Sequence, residues 1–119
     1  MQYLLLIYHD EKQWEKLPEP EKEKLYAGYK ELRQDLEAKE KFKGSNRLQS
    51  PAAATTVRVR NGKQTVTDGP FAETKEQLAG YILVEAKDKD DAVAMAARIP
   101  SAKMGSIEVR PVLVMQPTQ

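Results

Sequence analysis

No cysteine occurs anywhere in the chain. That excludes disulfides, thiolate nucleophiles and cysteine-ligated metals together. One histidine in 119 residues is too few for a conventional zinc site, so neither a metal nor a cofactor is expected. An excess of charge of one sign is also missing. The 19 Lys and Arg nearly cancel the 18 Asp and Glu, leaving net +1 and no electrostatic footprint for nucleic acid. Long apolar runs are absent. Tyr3-Leu4-Leu5-Leu6-Ile7-Tyr8 has strand length, far below the roughly 20 residues that a membrane helix needs. It has no basic start and no small-residue cleavage signal. A soluble, cytoplasmic chain with no membrane partner is the expectation, and its length suits one domain over residues 1–119.

What is present divides into short periodic segments. Gln2 to His9 is apolar without alternation, which describes a central strand covered on both faces. His9 shares a face with Tyr3, Leu5 and Ile7. Glu11 to Pro20 forms a polar connector in which Trp14 and Leu17 either anchor onto the core or, for Trp14, line a pocket mouth. Pro20 to Lys41 carries Leu25, Tyr29, Leu32 and Leu36 at helical spacing, with prolines and acids at its start, lysines toward its end and Gly44 as a stop. Ser45 to Ala54 has the Gly, Ser, Asn and Pro content of a loop and contains Arg47. Thr55–Arg60 and Lys63–Asp68 flank Asn61-Gly62, the strongest two-residue hairpin signal, because both positions tolerate positive φ. Ala79 to Ala86 is a second strand that is apolar on both faces. Asp88 caps a helix that runs through Ala92, Val93, Ala96 and Ile99 and stops before Pro100. Ile107 to Met115 closes the chain as a strand whose Pro111 marks an edge or bulge.

The most informative conflict lies at the hairpin's end. Alternation puts Asp68 on the side of Val66, which should face the core. A carboxylate there is costly unless it is paired. Gly69 and Pro70 then stop the strand, and Phe71 is expected to plug the core. The run Thr67-Asp68-Gly69-Pro70-Phe71-Ala72-Glu73-Thr74-Lys75-Glu76-Gln77-Leu78-Ala79-Gly80-Tyr81 resembles the signature of the DGPF domain, a branch of the YCII-related proteins. The likeness extends to Tyr3–Tyr8, Arg47-Leu48-Gln49, Thr55–Arg60 and Gly105–Val112, which is nearly the whole chain. It implies a dimeric α+β barrel built from ferredoxin-like subunits, in a family whose biochemical role is largely unassigned. It also implies an association with extracytoplasmic-function sigma factors. In the wider group the proposed active site is a His–Asp pair with the histidine on the first helix. Here that stripe carries Tyr29, so only Asp68 matches directly.

The element order reads β-α-β-β-β-α-β, an α+β ferredoxin-like antiparallel sheet with an inserted hairpin and two helices on one face. Two strands are apolar on both sides, so the face without helices needs a cover. A second copy supplies it most simply, giving a homodimer through the open sheet face. Candidate chemistry gathers on Asp68 and His9 as an acid–base pair, with Tyr29, Arg47, Glu108 and Arg110 as ligand-binding residues. Structural alternatives for Asp68 are to accept N–H groups of its own turn or to pair with Arg110. Two functional classes stay open. One is a cofactor-independent enzyme-like fold that binds a small anionic organic molecule. The other is a non-catalytic dimeric regulatory or interaction module.

Overall fold

The computed structural model of the chain describes residues 1–115. Its elements run β1 (Gln2–His9), α1 (Glu11–Lys16), α2 (Glu19–Ala38), β2 (Phe42–Arg47), β3 (Thr55–Arg60), β4 (Lys63–Asp68), β5 (Gln77–Glu85), α3 (Lys89–Ala97) and β6 (Ser106–Pro111). Two 3-10 turns, Pro51–Ala53 and Pro100–Lys103, lie before β3 and before β6. Four strands form an antiparallel sheet in the order β2-β5-β1-β6, and β3 and β4 form a separate two-stranded arm. Without the arm, the order β1-α2-β2-β5-α3-β6 is the ferredoxin-like α+β arrangement.

One face of the sheet is sealed. Tyr3, Leu5 and Ile7 of β1 and Ile82 and Val84 of β5 pack beneath Leu32 and Leu36 of α2 and Ala92, Met95 and Ala96 of α3. The alternate residues of the same strands point the other way. Leu4, Leu6 and Tyr8 stand beside Leu83 and Tyr81 on the open face and are only half-buried. The strand expected to be covered on both faces is covered on one within the chain, and its other face is half-buried.

The hairpin has the expected bounds and turn. Asn61 and Gly62 both adopt positive φ, at 52° and 75°, and Val57 pairs with Val66. What differs is its surroundings. The arm leaves the sheet, and its apolar side is exposed, with Val57, Val59 and Val66 each 58–59% accessible. The radius of gyration is 16.6 Å, against about 13.5 Å for a compact chain of this length. Asp68 accordingly lies in solvent, not against a core, and Phe71 is 79% exposed where a core plug was expected. Alternation fixes which residues share a side, but not whether anything covers that side. The arm is clasped at its base, where the Gly69 N–H donates to the Ala54 carbonyl at 2.7 Å and the Thr56 hydroxyl to the Gly69 carbonyl at 2.8 Å. Gly69 turns there at φ 99°.

Four further expectations are corrected. The connector after β1 contains a helical turn capped by Asp10, whose carboxylate accepts the Lys12 N–H. Part of the expected loop, with Phe42–Gly44 between it and the expected first helix, is the edge strand β2. Its Gly, Ser and Asn content disguises it, but an edge strand needs only one ladder, here to β5. The stop of α2 is not Gly44 but Glu40, at φ 59°. The Lys41 N–H reaches back to the Leu36 carbonyl at 2.8 Å, the six-to-one bond of a Schellman end. The last strand finishes at Pro111, and Leu113, Val114 and Met115 are exposed.

Candidate functional site

A cavity of about 390 Å³ opens between α2 and the covered face of the sheet, toward the C-terminal end of β1. That is within the roughly 300–1,000 Å³ typical of small-molecule sites. It forms because the sheet floor thins there. Ala79 and Gly80 of β5 lie under it, and β5 carries one surplus residue, so that Ile7 pairs with Gly80 while Tyr8 pairs with Leu78. A Cβ on Gly80 would stand 2.7 Å from the Asn46 carbonyl oxygen of β2, so backbone and not side chain fills this corner.

The side chains around the mouth form a layered stack. His9, at the end of β1, lies against Trp14 of α1 with centroids 5.5 Å apart and planes 15° from parallel. Tyr26 of α2 meets Trp14 edge-to-face, with centroids 5.8 Å apart and planes at 69°. The Arg47 guanidinium, from the end of β2, sits 4.9 Å from the Tyr26 ring centre and 5.3 Å from that of Trp14. Such cation–π contacts hold an arginine without neutralising it. His9, Trp14 and Arg47 also border a smaller hollow of about 140 Å³ on their far side, so they form a shared wall.

Deeper in, the Tyr29 hydroxyl and the Ser101 Oγ lie 2.6 Å apart. Ser101 is 2% exposed and belongs to the turn that follows α3. The close approach of α2 to this turn depends on Gly28, where a Cβ would come within 2.7 Å of the Pro100 ring.

The electrostatics are one-sided. Lys30, Arg33 and Arg47 line the cavity, and among the described residues no Asp or Glu does, in a chain with 18 of them. Arg33 is committed to Glu37 at 2.7 Å. No ion pair forms on Arg47 among the described residues. Burial lowers the His9 pKa from its ordinary value near 6.5, and the nearby Arg47 cation lowers it further, while Glu11, Asp10 and Glu76 pull weakly upward. His9 is thus a neutral imidazole at pH 7, with a lone pair available to accept a proton. Burial raises the Tyr29 pKa, opposed by hydrogen bonds from the Ser101 side chain and backbone and by the Arg47 charge.

Of the residues singled out in the sequence, His9, Tyr29 and Arg47 meet in this cavity. Asp68 does not join them. It pairs with Thr55 in the exposed arm, and the carboxylates that act on His9 are Asp10, Glu11 and Glu76. The expected Asp68–His9 proximity fails because the two strand faces belong to different sheets. Glu108 and Arg110 are elsewhere again, on the open sheet face opposite Leu6 and Leu4. They are bonded to each other at 2.6 Å, which holds the Glu108 carboxyl below its usual range, and the Tyr8 hydroxyl donates to Glu108 at 3.3 Å. Arg110 therefore pairs with Glu108 and not with Asp68. Among the described residues no cluster of His, Asp and Glu is placed to hold a metal ion, and no helix is long and apolar enough to cross a membrane.

Residues 1–116 match the YCII-related domain. The chain belongs to the YCII-related family. An uncharacterized protein of Rhizobium meliloti (strain 1021) is 34% identical over 119 residues, spanning 98% of this chain and 96% of the relative. The YCII-related match thus takes in both the cavity and the arm. The sequence reading of this YCII-related chain missed Tyr26 and Ser101. Tyr26, Tyr29, Lys30 and Arg33 follow helical spacing and form a second stripe beside the leucines, so Tyr26 was open to discovery by period alone. Ser101 carried no such signal, because its burial depends on where the turn after α3 docks.

Proposed function

We propose that this YCII-related protein binds a small organic anion in the cavity beneath α2, with Arg47 as the anion's anchor. The observation that carries this reading is the Arg47 guanidinium at the mouth of an acid-free cavity, balanced over two aromatic rings and not over a carboxylate. A planar guanidinium offers two parallel N–H donors to a carboxylate, and leaving a ring face for a charged oxygen pair is favourable. Neutral His9 adjoins Arg47 and supplies a proton acceptor, so the site also suits cofactor-independent proton transfer on the bound acid. Asp68 has no part in this site within one chain.

The sole tryptophan lines the cavity, so its fluorescence is a direct reporter. Titration with small carboxylates should change Trp14 emission saturably, and Arg47→Gln should weaken the response at least about tenfold, as loss of a charge-assisted pair does. Equal binding by Arg47→Gln and the wild type would remove the reading.

The half-buried leucines Leu4, Leu6 and Leu83 favour a second component, pairing of two copies through the open sheet face. Light scattering on Leu6→Arg should then report a monomer where the wild type reports a dimer. A wild type that is monomeric at the same concentration counts against it.

A further inference from the structure

We infer that the Tyr29–Ser101 hydroxyl pair is a second recognition point in the cavity, and that the bound acid carries an uncharged oxygen, a hydroxyl or a carbonyl, in addition to its carboxylate. This rests on the anion-binding reading above and specifies its ligand. The cavity lining combines cationic, hydroxyl-bearing and apolar side chains. Arg47 is exposed, and Ile7, Leu32 and Ile82 are apolar residues of the same lining. Tyr29 and the buried Ser101 add hydroxyls to that lining but no charge.

Their chemistry fits an oxygen partner of either kind. At 2.6 Å one hydroxyl donates to the other, and either can be the donor. When Ser101 donates to the Tyr29 oxygen, the phenol proton is released to face an acceptor such as a carbonyl. When Tyr29 donates to Ser101, the phenol oxygen keeps a lone pair for a ligand hydroxyl. Ser101 does not need to touch the ligand. Buried at the start of its turn, it sets the rotation of the Tyr29 hydroxyl and acts as a positioning residue. The one-residue gap left by Gly28 holds the pair together. A purely apolar acid would leave the remaining phenol proton or lone pair of the Tyr29–Ser101 pair facing hydrocarbon, which costs affinity relative to an oxygenated one.

Benzoate and its three hydroxy isomers, titrated by calorimetry into the full chain, test this. At least one hydroxybenzoate should bind roughly three- to tenfold tighter than benzoate, the worth of one hydrogen bond. In Tyr29→Phe that preference ratio should fall to about one, and in Ser101→Ala it should shrink while far-ultraviolet circular dichroism stays unchanged. Arg47→Gln should weaken all four acids alike. If all four bind the wild type equally, or if the preference survives Tyr29→Phe, the second recognition point is wrong while anion binding stands. If none of the four binds, the anion reading falls and this inference falls with it.

Discussion

The four-stranded sheet and the two-stranded arm are written in similar residues but have opposite fates. β1 and β5 bury alternate side chains almost completely, Leu5 and Val84 being 0% exposed. β3 and β4 alternate just as regularly and bury none of theirs within the chain. A two-stranded ribbon alone is marginally stable in water, so the arm's persistence depends on its clasped base and on whatever meets its valines. Local pattern thus specifies the ribbon, while coverage depends on what packs against it.

The strongest way to break this contrast is to truncate one side chain from each region. Leu36→Ala, in the sealed core at 1% exposure, should cost about 2–5 kcal/mol in urea unfolding. Val66→Ala, on the arm, should stay within about 0.5 kcal/mol if the arm is bare in solution. A cost for Val66→Ala approaching that of Leu36→Ala would mean that the valine side is covered, and its dependence on protein concentration would identify a second copy as the cover.

A smaller effect sharpens the account of where the sealed region ends. Glu40 occupies the left-handed conformation that closes α2. Glu40→Gly should raise stability by about 0.5–1 kcal/mol, seen as a higher melting temperature, because glycine adopts that geometry without a Cβ penalty. A fall instead would show that the Glu40 side chain contributes more than its backbone costs.

The smallest effect concerns pH. His9 has a folded-state pKa below its ordinary value near 6.5. Its contribution to stability is therefore complete above that value and is lost as pH falls through the lower folded-state pKa. Proton NMR of the single histidine should give a midpoint below 6.5, moving upward when a carboxylate binds beside it. A midpoint at or above 6.5 in the free protein would contradict the burial described here.

Much of this was legible from residues alone. Asn61-Gly62 fixed the hairpin to the residue, Asp88 marked the start of α3, and Leu32 and Leu36 identified the buried stripe of α2. β2 was hidden because Gly44, Ser45 and Asn46 favour turns, and an edge strand is selected by its neighbour more than by its own propensity. The site was half legible. His9, Tyr29 and Arg47 could be named, since each is chemically distinctive and sits at a readable position. Asp68 was misplaced because a strand's period cannot report that the strand departs from the sheet. Ser101 was invisible because its environment is assembled from segments distant in sequence.

The surplus residue in β5 carries one last implication. Counting regularly from Ile82 through Gly80 would aim Leu78 inward, but the irregular pairing turns it outward and sets Gln77 opposite His9. Straightening that ladder, with every amino acid unchanged, would drive a leucine into the hollow like a stopper. Vacancy and occlusion are therefore separated by a slip of register, and this protein's capacity to hold a guest is a matter of how its main chain is counted as much as of which groups it bears.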